Sequence, residues 1–83
     1  MEPEVAFGIV LRELRKQREF SQETLAYEAG MERNYISLLE LGKNSASLKM
    51  IFKLAKTFGI TVSELMGLVE AKQKDAQKHR RAK

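Results

Sequence analysis

The chain has 83 residues and a mass of 9.5 kDa, enough for one domain that buries roughly 60 to 65% of its unfolded-chain surface and leaves little room for a large catalytic cleft. It contains no Cys and a single His, His79, which excludes a disulfide framework, thiolate metal sites and a His pair for metal binding or proton relay. The formal charge of +4 sits in residues 70–83, where Lys72, Lys74, Lys78, Arg80, Arg81 and Lys83 face only Glu70 and Asp75, so residues 1–69 sum to zero.

Bulk charge is therefore weak evidence for a nucleic-acid partner, and such binding by the body needs a local patch. Ala, Leu, Glu, Lys, Arg, Gln and Met dominate the chain and the single Pro is Pro3, which predicts an all-α fold. No stretch approaches the ~18 consecutive apolar residues of a membrane span. The start, Met-Glu-Pro-Glu, lacks the basic and apolar runs of a signal peptide, so a cytoplasmic protein is expected.

The first helix is predicted from about Glu4 to Arg18, with Phe7, Val10, Leu11 and Leu14 on one face at the three- and four-residue spacing of an amphipathic helix. Ser21 is a suitable N-cap for a short second helix, Gln22 to Ala29, which turns Leu25, Ala26 and Ala29 inward and stops at Gly30. Thr24 stands where a Glu or Gln would complete a capping box. After three residues, Gly30 to Glu32, a third helix is expected from Arg33 to about Leu41, burying Ile36 and Leu39 and ended by Gly42. Ser47 caps a fourth, Leu48 to Phe58, whose Leu48, Ile51, Leu54, Ala55 and Phe58 form the widest apolar stripe in the chain. Gly59 ends it in the left-handed conformation. Thr61 and Glu64 form a T-x-x-E capping box for a fifth helix carrying Val62, Leu65, Met66, Leu68 and Val69. Gly67 weakens its far end by about 1 kcal/mol of propensity. The expected architecture is a compact five-helix domain over residues 1–69, followed by a basic tail, 70–83, that is either a frayed solvated end or an extension of the last helix.

Residues 21–42, Ser-Gln-Glu-Thr-Leu-Ala-Tyr-Glu-Ala-Gly-Met-Glu-Arg-Asn-Tyr-Ile-Ser-Leu-Leu-Glu-Leu-Gly, resemble the helix-turn-helix of the phage repressor and Cro family. With the L-R-x-L-R segment before and the L-x-x-I-x-x-L-A-x-x-F-G-I segment after, the resemblance covers about residues 5 to 69. Within the family, Arg33-x-Tyr35-Ile36-Ser37 is most similar to the controller proteins of restriction-modification systems. The resemblance implies a lambda repressor-like fold and a small homodimeric transcription regulator that reads double-stranded DNA near its own promoter. It also implies an Arg15–Glu40 ion pair joining the first and third helices, with a structural role.

The residues agree with that expectation. Arg33, Asn34, Ser37, Leu38 and Leu41 lie on the face of the third helix away from Ile36 and Leu39. In a major groove an Arg takes guanine O6 and N7 bidentately, Asn pairs with adenine, and Leu38 meets a thymine methyl. Base contacts are expected from Arg33, Asn34, Ser37 and Leu38, Arg33 foremost. Gln22 and Thr24, in the first turn of the second helix, are placed for a phosphate, a role the resemblance implies for the Gln, or serve only as caps. Tyr35 either reaches a phosphate or a flexible base step with its hydroxyl, as in the controllers it resembles, or is a half-buried core aromatic. Lys43, Asn44 and Lys49 are candidates for backbone contacts, against plain solvation. Glu32 complements the dipole of the third helix, or accepts from cytosine N4.

Two half-sites about one turn, ~34 Å, apart require two-fold pairing. Met50, Phe52, Met66 and Val69 exceed what one inward stripe needs and are the expected dimer face, on the fifth helix and the end of the fourth. The tail adds sequence-independent phosphate contacts at most. RNA polymerase is a further candidate partner. The alternative is an antitoxin-like interaction protein that binds a protein partner and autoregulates through the same motif. Nothing points to an enzyme, metal site or cofactor, since no Ser-His-Asp set, metal-ligand spacing or phosphate-binding glycine loop is present.

Overall fold

The computed structural model describes the backbone of residues 1–81 and the side chains of residues 1–75. Five helices follow one another: α1 (Pro3–Gln17), α2 (Gln22–Ala29), α3 (Arg33–Glu40), α4 (Leu48–Phe58) and α5 (Val62–Arg81). Their boundaries follow local chemistry. Pro3 opens α1 in the first turn, where a missing N–H costs nothing. The Ser21 hydroxyl accepts from Thr24 N–H at 3.0 Å, and that of Ser47 accepts from Met50 N–H at 3.2 Å. Thr61 and Glu64 close the expected reciprocal box, Thr61 N–H donating to Glu64 Oε1 at 2.9 Å and Glu64 N–H to Thr61 Oγ1 at 3.0 Å. Gly30 and Gly59 end α2 and α4 with φ of 68° and 73°, a conformation that costs a Cβ-bearing residue about 1 to 2 kcal/mol.

The helices converge on a core to which each contributes: Leu11 from α1, Leu25 from α2, Ile36 and Leu39 from α3, Leu54 from α4 and Leu65 from α5 are fully buried. Helix α1 packs against both α3 and α5, α2 against α3 and α4, and α4 against α5. The short α2 and α3 are thus clamped by longer helices. At the end of α1, Arg18 donates from Nη2 to the Phe58 carbonyl at 2.8 Å, with its guanidinium 5.5 Å from the Phe58 ring centre. A cation beside the last carbonyls of α4 satisfies a free acceptor and complements the helix dipole.

Two expectations are corrected. Leu48, assigned to the inward stripe of α4, is 71% exposed. It is the first residue of α4, and the inward stripe begins with the half-buried Ile51 and is carried by Leu54, Ala55 and Phe58. Val69, assigned to a dimer face, is 3% exposed in the core. It lies one turn beyond the buried Leu65 on α5 and belongs to the core cluster, so it is occupied within the chain. Gly67 lies inside α5 and does not end it. The helix continues to Arg81, and Lys72 Nζ meets Glu13 Oε2 at 3.0 Å while Gln73 Nε2 donates to the Met1 carbonyl at 3.1 Å. The basic side chains of Lys78, Arg80, Arg81 and Lys83 lie outside the described residues.

Candidate nucleic-acid interface

The turn at Gly30–Glu32 sets α3 across α2 with its apolar side inward, Ile36 and Leu39 having no exposed surface. The opposite side is open. Arg33 and Asn34 are exposed and Ser37 and Leu38 half-buried, while Leu41, just past the helix, is 62% exposed. Arg33 makes no ion pair among the described residues, so its guanidinium keeps all its donors for another molecule. Glu32 caps α3 through its backbone without a side-chain bond. It remains exposed.

Tyr35 is half-buried and its ring packs on the core. Thr24 is exposed, its hydroxyl oxygen accepting from Ser21 Oγ at 2.9 Å. Lys43 and Asn44, in the connection from α3 to α4, and Lys49, in the first turn of α4, are exposed. Gly42 turns that connection with φ of 72°, close against Val5 of α1.

Arg15 and Glu40 lie beneath this surface. Arg15 Nε donates to Glu40 Oε2 at 2.6 Å and Nη2 to Oε1 at 3.1 Å, a bidentate fork between α1 and the end of α3. Their side chains are 12% and 5% exposed. The Arg15 guanidinium is held above its ordinary pKa chiefly by the hydrogen bond to Glu40, although burial works in the opposite direction. Its Nη1 donates to the Phe20 carbonyl at 2.9 Å. Gln22 joins the same cluster, its Nε2 donating to Glu40 Oε1 at 3.1 Å.

The expected dimer residues do not share one environment. Met50 and Met66 are half-buried, Met66 packing on the core. Phe52 is 56% exposed, beside a groove of about 500 Å³ lined also by Ala55, Ile60 and Val62. Sequence reasoning missed two relationships here. Gly8 lets α1 meet the last carbonyls of α3; its signal was a glycine inside an amphipathic helix, in register with Leu11 and Arg15. The bond from Gln22 to Glu40 spans 18 residues and has no local signal.

Among the described residues, no cluster of His, Cys, Asp or Glu could hold a metal ion, and no helix is long and apolar enough to cross a membrane. A clamped helix pair with an open, polar outer helix is the arrangement of a helix-turn-helix protein. The chain belongs to the helix-turn-helix family, whose model matches residues 11–65. It is 39% identical over 67 residues to control protein C.MunI of a Mycoplasma species, covering 80% of this chain and 90% of that one. Control protein C.BamHI of Bacillus amyloliquefaciens is 38% identical over 61 residues, covering 72% and 75% of the two chains. Among solved structures, the restriction-modification controller protein C.AhdI from Aeromonas hydrophila matches with a TM-score of 0.72 and 45% identity over 75% of this chain and 94% of that one. These relatives are named as control or controller proteins.

Proposed function

We propose that this protein is a sequence-specific, double-stranded-DNA-binding transcription regulator of the restriction-modification controller type. It acts as a homodimer on an operator near its own promoter. The observation that carries the reading is the outer side of α3, where Arg33 and Asn34 stand exposed, Arg33 with no ion pair among the described residues, on a helix locked to α1 by Arg15 and Glu40. The similarity to proteins named controllers supports it.

In this reading α3 enters the major groove. Arg33 takes guanine O6 and N7, Asn34 an adenine edge, and Ser37 and Leu38 the neighbouring base edges and methyls. Gln22, Thr24 and the free N–H groups of α2 meet a phosphate on one side; Tyr35, Lys43, Asn44 and Lys49 meet the backbone on the other. Two-fold pairing places a second α3 about one turn, ~34 Å, along the duplex. Phe52 anchors the pairing by entering the partner copy's groove, with Met50 and Met66 at its margin and Leu48 one turn along α4. The work is binding, on the cytoplasmic nucleoid, without catalysis or a cofactor. RNA polymerase is a further partner where the operator adjoins the promoter.

The test is fluorescence-anisotropy binding of the wild type and Arg33→Ala to the DNA upstream of the coding frame, with a shuffled duplex as control, at ~0.15 M salt. The wild type should prefer the native duplex by a large factor and the variant should lose that preference. Equal weak binding of the wild type to both duplexes would favour the antitoxin-like reading, which a stable complex with the product of an adjacent gene would support.

A further inference from the structure

We infer that Glu40, besides pairing with Arg15, is a positioning residue that orients the Gln22 amide for its DNA phosphate. This rests on the DNA-binding reading above and adds a part to its phosphate contact. A glutamine amide has one acceptor oxygen and two N–H donors on a single nitrogen, and its two flipped orientations are close in shape. A phosphate accepts only, so a Gln is useful to it in the orientation that leaves an N–H outward. The ionised carboxylate of Glu40 also accepts only. Facing it with the amide oxygen would oppose two acceptors, whereas facing it with Nε2 makes the bond observed at 3.1 Å. One N–H is thereby anchored on Glu40 and the other remains free on the same nitrogen.

The anchor is itself rigid. Arg15 grips both Glu40 oxygens, at 2.6 and 3.1 Å, and ties its own Nη1 to the Phe20 carbonyl, immediately before the Ser21 cap of α2. Glu40 is 5% exposed whereas Gln22 is half-buried, so orientation set inside the protein is delivered at its surface. The chain of contacts runs from α1 through the end of α3 to the first residue of α2, which is also where the free N–H groups of α2 point. Orienting a group before binding removes part of the cost of ordering it in the complex.

The test is a double-mutant cycle with Gln22→Met and Glu40→Gln, read as affinity for the upstream duplex and the shuffled duplex at a temperature where circular dichroism shows every variant folded. Gln22→Met should weaken binding to both duplexes by about ten- to a hundredfold, the scale of one hydrogen bond to a charged group. Glu40→Gln should also weaken binding, although removing a negative charge near phosphates by itself strengthens it. The double variant should bind no more weakly than Gln22→Met alone, because the two changes remove one contact. A structural lesion at Glu40 would not produce that overlap. Losses that multiply, or tighter binding by Glu40→Gln, would overturn the role of Glu40 while leaving the DNA reading standing. A wild type that binds neither duplex would overturn both.

Discussion

Gly8 of α1 lies directly against the carbonyl oxygens of Leu39 and Glu40 at the end of α3, so the two helices meet backbone to backbone. A Cβ at residue 8 would stand 2.8 Å from the Glu40 oxygen and closer still to that of Leu39. The same approach brings Arg15, two turns further along α1, to the Glu40 carboxylate. Gly8→Ala should therefore destabilise the fold by about 1 to 3 kcal/mol through overpacking, despite gaining about 1 kcal/mol of helix propensity. Thermal unfolding should show a fall of roughly 4 to 8 °C per kcal/mol in a domain of this size. An unchanged or raised Tm would contradict the close crossing.

Removing one partner of the Arg15–Glu40 pair strands a charge that is almost covered. Glu40→Ala should cost about 3 kcal/mol or more, measurable by urea denaturation. The preference among base pairs should stay as in the wild type where the variant is folded. A wild-type denaturation midpoint would remove the structural role assigned to the pair.

Arg33 has no partner to lose within the described residues. Arg33→Ala should leave thermal stability near that of the wild type and cost about 1 to 3 kcal/mol in operator binding, with specificity relaxed at one position of each half-site. By contrast, Lys43→Ala should weaken all sequences alike and lower the slope of log affinity against log salt by about 0.9. Unchanged affinity and preference in Arg33→Ala would end its assignment as a base reader.

Phe52 exposes more than half of its surface beside an apolar groove. Phe52→Glu would place a charge in the proposed dimer face and should shift the molecule from a dimer to a 9.5 kDa species in sedimentation at tens of micromolar. The fold should persist, because this ring is outside the core. A dimer that survives the substitution would place the interface elsewhere.

Glu64 is held below its ordinary pKa of 4.5 chiefly by the bond from the Thr61 backbone N–H. A depressed folded-state value means that the carboxylate contributes stability above the unfolded value, and that the contribution fades as pH falls through the folded value. Denaturation midpoints measured from pH 6 downward should decline partly through this cap. Glu64→Gln should flatten that part of the decline, and an identical profile would show that the box does not sense pH.

Much of the fold was legible in the chain. Ser21, Ser47 and the Thr61–Glu64 box act within three residues of themselves, and Gly30 and Gly59 set their own backbone angles. The helix starts and the two glycine stops therefore followed from neighbours in sequence. The outward side of α3 was legible for the same reason, since Ile36 and Leu39 fix the inward side by helical periodicity alone.

Exposure was different, because it depends on which other helix covers a face. Leu48 and Val69 are both apolar and both at stripe spacing, yet one is 71% exposed and the other 3%, since Val69 lies within the core cluster whereas Leu48 precedes the covered part of α4. The amide of Gln22 likewise has no preferred orientation until α3 brings Glu40 beside it. The helices, their caps and the outward side of α3 were readable along the chain, because these rest on interactions within about one turn. Which apolar side chains remain for a partner, why residue 8 is a glycine and how Gln22 is held emerge from the packed helices alone, because each depends on contacts between residues distant in the chain.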